Sequence, residues 1–181
     1  MIKKILSNFN IKGKLIEIDE NNVGNINKTY VATFLMDDGS EKKYLIQKIN
    51  TNVFTEPYKL MKNIDGVTSY LKKQLLKEGD TQHQVLEVIK TKDNSLLCCV
   101  NEGGERDYFR IYEYIDNAIT YNTSTDLNIV YNTGKAFGNF QKLLRNYPIR
   151  KLEETIKDFH STDKRYSKFI NDIVEIVERL S

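Results

Sequence analysis

Gly24-Asn25-Ile26-Asn27-Lys28-Thr29-Tyr30, followed at Tyr44 by Tyr44-Leu45-Ile46-Gln47-Lys48-Ile49, is the stretch that decides the fold. The first segment is a short polar loop with a glycine. The second alternates apolar and polar side chains, the mark of a strand with one buried face. Just upstream, Lys14-Leu15-Ile16-Glu17-Ile18 alternates in the same way, and Val31-Ala32-Thr33-Phe34-Leu35 continues the loop as a strand. Asp37-Asp38-Gly39-Ser40 is a strong hairpin signal between them. Strands over 14–20, 29–37 and 42–50 therefore predict an antiparallel three-stranded meander.

Working outward, Leu60, Met61, Ile64, Val67, Leu71 and Leu75 recur at three- and four-residue steps. They predict a helix over 56–78, with Pro57 in its first turn and Gly79 beyond its end; Gly66 is out of place inside it. Further strands follow at 84–91, 95–101 and 107–115, the last two joined by Glu102-Gly103-Gly104-Glu105. Residues 2–10 read as a short helix ended by Gly13. After Asp116 the pattern becomes helical: 127–144, capped within Thr123-Ser124-Thr125-Asp126, a short helix at 151–157, and an amphipathic helix at 163–180. The class is α+β, with an antiparallel sheet of five to six strands plus one helix over 1–116 and a helical part over 117–181. Strands, helix, strands is an order that resembles the small lobe of protein kinases.

With 27 basic and 25 acidic residues the formal net charge is +2, too small to favour nucleic acid or an anionic membrane as partner. Cys98 and Cys99 are adjacent, a spacing that disfavours a disulfide, and they fit a strand in a reducing compartment. No apolar run approaches the ~20 residues of a membrane span. Met1-Ile2-Lys3-Lys4-Ile5-Leu6 lacks the apolar core of a signal peptide, so a cytoplasmic protein is expected.

The chemistry-bearing residues lie around the opening stretch. Gly24, Asn25, Ile26, Asn27 and Thr29 can bring backbone N–H groups close to anionic oxygens, although a hairpin glycine is more often only a turn. Tyr44, Ile46 and Lys48 share one strand face, so Ile46 can floor a purine while Lys48 reaches phosphates. The alternative is that Lys48 meets solvent and Gln47 faces the site. Asn63 and Asp65 are the polar residues of the long helix nearest the place of a lysine-orienting acid. Arg110-Ile111-Tyr112-Glu113-Tyr114-Ile115-Asp116 leads from sheet to helices. There the backbone groups of Glu113, Tyr114 and Ile115 can bond a purine edge, or the segment is an ordinary aromatic edge strand. His160, Thr162 and Arg165 can bond sugar hydroxyls or phosphate; the competing role for His160 is capping or packing. His83 lies in a polar loop with no assigned role.

The loop and strand just quoted, continued through Asn50-Thr51-Asn52-Val53-Phe54, Leu60-Met61-Lys62-Asn63-Ile64, Gly134-Lys135-Ala136-Phe137-Gly138-Asn139-Phe140-Gln141 and Asp158-Phe159-His160, resemble the N-terminal half of the N-acetylhexosamine 1-kinases. These belong to the aminoglycoside-phosphotransferase, kinase-like superfamily. The resemblance runs from about Phe9 onward. It implies ATP- and Mg²⁺-dependent phosphorylation of the anomeric hydroxyl of an N-acetylhexosamine. It also implies a catalytic aspartate, a metal-binding asparagine and a second metal-binding aspartate in the larger lobe. No His-x-Asp-x-x-x-x-Asn pattern follows His160, so this chain alone is expected to bind nucleotide without turnover. The alternatives are a catalytically inactive binding or assembly module, self-associating through exposed apolar surface, and another aminoglycoside- or choline-type phosphotransferase.

Overall fold

A computed structural model describes residues 1–21, 24, 26–80, 85–121 and 123–180. The elements are α1 (Ile2–Leu6), β1 (Lys14–Asn21), β2 (Lys28–Leu35), β3 (Glu41–Lys48), α2 (Pro57–Lys77), β4 (Val88–Ile89), β5 (Cys98–Glu102), β6 (Glu105–Glu113), α3 (Leu127–Leu144), a 3-10 turn (Ile149–Lys151) and α4 (Thr162–Leu180). The fold is α+β. The six strands form one antiparallel sheet in the order β1-β2-β3-β6-β4, with β5 also on β6. This architecture is compatible with a kinase-like small lobe followed by helices.

The turns explain the pairing. At the β2–β3 hairpin Met36 N–H donates to Ser40 O at 2.8 Å, and Gly39 sits at φ +82°. A Cβ at Gly39 would meet nothing within 4 Å, so only backbone conformation selects glycine there. Gly39→Ala is expected to lower unfolding free energy by about 1–2 kcal/mol in denaturant melts, the cost of a left-handed alanine. At the β5–β6 turn Gly103 and Gly104 both have positive φ (65° and 90°), the geometry of a two-residue hairpin loop.

Strict alternation fails in β1. Leu15 pairs with Phe34 and Glu17 with Thr33, so Ile16 is an extra residue in a bulge. Leu15 and Ile18, three apart, consequently both pack on the core, and Ile16 is exposed. The strand expected over 84–91 is regular only at Val88–Ile89, and residues 81–84 lie outside the described residues. Beyond Ile89 the chain leaves β6 for the segment after α1: Asn10 N–H donates to Lys90 O and Lys92 N–H to Asn8 O. The helix expected at 151–157 is instead the turn Ile149–Lys151, because Glu153 directs its backbone to α2.

The two sheet faces carry two cores. Ile5, Leu6 and Phe9, from α1 and the turn after it, cover Ala32, Phe34, Tyr44, Ile46, Phe109 and Ile111. On the other face Leu60 and Met61 of α2 pack with Ile49, Leu97 and Val88. α2 also receives the helical part. The Asn63 side chain donates to Glu153 O at 2.8 Å and accepts from Glu153 N–H at 2.9 Å. Lys62 Nζ meets Glu153 Oε1 at 2.5 Å, and Tyr147 stacks edge-on against Tyr70 at 5.2 Å. A Cβ on Gly66 would stand 2.7 Å from the Tyr147 hydroxyl, which accounts for a glycine inside this helix. α3 begins at the Asp126 cap, whose carboxylate accepts from Asn128 N–H at 2.8 Å. Among the described residues no helix is long and apolar enough to cross a membrane.

Candidate functional site

Antiparallel register sorts the candidate residues by face. Lys28 pairs with Lys48, and Lys48 with Phe109; Tyr30 pairs with Ile46, and Ile46 with Ile111. These rows belong to the α1 face. Thr29 pairs with Gln47 and Gln47 with Arg110, while Val31 pairs with Leu45 and Leu45 with Tyr112. Those rows belong to the α2 face, where Arg110 Nη1 lies 4.0 Å from Met61 Sδ. Gln47, not Lys48, therefore looks toward the long helix.

Lys48 Nζ is held by Asp107 Oδ2 at 2.7 Å, with both side chains partly exposed. Asn63 is committed to Glu153, and among the described residues no ion pair joins Asp65 to Lys48. Lys48 borders a polar crevice of about 630 Å³ with Ile26, Lys28, Asn50, Asn52 and Asp107. The amine and the described part of the glycine loop thus meet at one end of the sheet.

Ile46 corrects an expectation. It is 0% exposed under Phe9 and α1, with no surface to offer a purine. The half-buried apolar residues on the α2 face at that level are Val31 and Leu45. Gly24 is exposed, and its added Cβ would lie 3.8 Å from Asn27 O and Thr29 Oγ1, ordinary contact distances. A Cβ has room there, so no close approach demands glycine. Asn25 and His83 lie outside the described residues.

The loop is tied down by side chains. Asn27 Oδ1 accepts from Asn50 N–H at 3.0 Å, and Thr29 Oγ1 donates to Asn27 O at 3.1 Å. Gln47 Nε2 donates to Thr29 Oγ1 at 3.3 Å. Arg110 Nε and Nη2 donate to Gln47 Oε1 at 3.0 and 2.9 Å. Arg110 is the buried charged residue of the described set, 8% exposed, with its guanidinium 5.2 Å from the Tyr112 ring. Burial pushes its pKa below the ordinary arginine value and pushes the Tyr112 hydroxyl up to about 12.

The link to the helical part is also partly committed. Glu113 N–H donates to Glu87 O at 2.9 Å and Tyr114 N–H to Lys43 O at 3.1 Å. Glu113 and Tyr114 therefore have no N–H to spare for a purine, whereas Ile115 N–H has no backbone acceptor among the described residues. Tyr114 and Ile115 border a second hollow of about 480 Å³ with Leu75, Val85 and Glu87.

His160, Thr162 and Arg165 stand exposed at the start of α4. His160 packs edge-on to Phe159 at 4.9 Å, and Arg165 covers the same ring at 4.7 Å. Among the described residues no hydrogen bond or ion pair joins this cluster to the sheet.

Sequence reasoning missed Arg110 as more than a member of the linking segment. The signal was available: a cation amid Tyr108-Phe109-Arg110-Ile111-Tyr112, on the same face as Gln47 one strand away. Among the described residues no three His, Cys, Asp or Glu side chains converge as metal ligands. The chain matches no protein-family model.

Proposed function

We propose that this chain is the nucleotide-binding part of an ATP-dependent phosphotransferase of the kinase-like class, with an N-acetylhexosamine as the acceptor suggested by the sequence resemblance. The observation that carries the proposal is the layout of β3 and β6. Both run from the loop-and-lysine end of the sheet, at Lys48 and Phe109, to the linking segment, where Glu113 pairs with Tyr44. The span from Tyr44 to Lys48 is about 13 Å at ~3.3 Å per residue, a length suited to a purine nucleotide with its phosphates. A purine would bond Ile115 N–H and rest near Val31 and Leu45. Its phosphates would point toward the crevice beside Ile26 and Lys48. In this class positioning and charge stabilisation do most of the catalytic work.

Calorimetric titration of the full chain with ADP and with ATP tests the proposal. Saturable binding is expected, and Lys48→Met is expected to weaken it several-fold by removing one cation beside the phosphates. Absence of heat with either nucleotide at millimolar concentration would sink it. A second reading, a binding or assembly module, is favoured by the exposed apolar face of α4, including Tyr166, Phe169, Ile173 and Val177. Light scattering separates the two: a concentration-independent monomer that binds nucleotide excludes the assembly role.

A further inference from the structure

The polar row on the α2 face of the sheet contains a charge without a counter-charge. Arg110 is 8% exposed, and its two hydrogen bonds to Gln47 Oε1 go to a neutral amide. Its guanidinium also lies 5.2 Å from the Tyr112 ring, and its Nη1 4.0 Å from Met61 Sδ. Among the described residues no carboxylate forms an ion pair with it, whereas Lys28 has Glu20 at 3.3 Å and Lys48 has Asp107 at 2.7 Å. A buried cation is costly unless an anion or several acceptors satisfy it. Nη1 faces Met61, which is 0% exposed, so an oxyanion reaching it displaces a weak thioether acceptor by a turn of a flexible side chain.

Placement points the same way. Arg110 lies two residues, about 7 Å, from Tyr112, whose row holds Val31 and Leu45. A base resting on that row would set its phosphate chain over the Thr29–Gln47–Arg110 row.

We infer that Arg110, seated by Gln47, is a second cation, besides Lys48 at the end of the sheet, that receives a phosphate oxyanion of the nucleotide. The assignment rests on the nucleotide-binding reading above. Arginine suits the task because its planar fork bonds an oxyanion bidentately while staying charged.

The test uses the full chain, sodium pyrophosphate and ADP at constant ionic strength, with thermal midpoint and calorimetric affinity as readouts. Wild type is expected to gain midpoint with pyrophosphate. Gln47→Glu, a nearly isosteric change, supplies an internal carboxylate to Arg110. It is expected to melt at or above the wild-type temperature while losing tenfold or more in affinity for both ligands. Arg110→Lys, which keeps the charge and loses the fork, is expected to weaken both by about tenfold. ADP binding retained within twofold by both variants overturns the assignment and leaves the nucleotide reading intact. Arg110-dependent pyrophosphate binding without ADP binding supports the anion site and removes the nucleotide reading. No pyrophosphate effect on wild type overturns the assignment.

Discussion

Ile46→Ala is expected to cost about 2–5 kcal/mol of unfolding free energy, the range for a large-to-small change in a closed core. Ile46 is 0% exposed among Phe9, Ala32, Phe109 and Ile111. Its truncation would leave a void that α1 cannot fill without moving, because Ile5, Leu6 and Phe9 are themselves buried. A denaturant series measures the loss. Nucleotide affinity of the folded variant is expected to stay within about twofold, since the side chain lies on the face away from α2. A large affinity loss with little stability loss would show that the purine meets the α1 face.

Asn63→Ala is expected to cost about 1–3 kcal/mol, because it strips both partners from the half-buried backbone of Glu153. Hydrogen exchange should localise the loss: the Glu153 amide is expected to exchange faster in the variant, with β2 and β3 unchanged. The neighbouring ion pair adds a pH dependence. Lys62, by hydrogen bond and charge, holds the Glu153 carboxyl below its usual range. A depressed folded value means that the stabilisation is complete above the unfolded carboxylate pKa and fades as pH falls through the folded one. The acid limb of a stability–pH curve should therefore flatten in Lys62→Met. The pair is solvent-exposed, so the effect is small beside that of Asn63.

Much of the architecture was legible in periodicity and turn chemistry. The meander, the Asp37–Ser40 hairpin, the long helix and its stripe of Leu60, Met61, Leu71 and Leu75 follow from local rules, and the structure has them. What was not legible depended on partners distant in sequence. The Ile16 bulge is a misfit between two strands, invisible in either alone. The shortness of β4 reflects competition between β6 and the segment at 8–10 for the same backbone. At the site, period two correctly put Ile46 and Lys48 on one face but did not say which face α1 would close. That choice is made by Ile5, Leu6 and Phe9, about forty residues upstream in sequence. Arg110 stayed obscure for the same reason, since its isolation from carboxylates is a property of the packed sheet.

The bonds from Arg110 through Gln47 and Thr29 to the Asn27 carbonyl all donate in one direction. Turning the Gln47 amide by half a revolution would set donor against donor at Arg110 and break the order at both ends at once. The conformation of the loop and the orientation of a side chain two strands away are therefore read by a single rotor. Whatever seizes the guanidinium also sets how firmly the Asn27 end of the loop is moored.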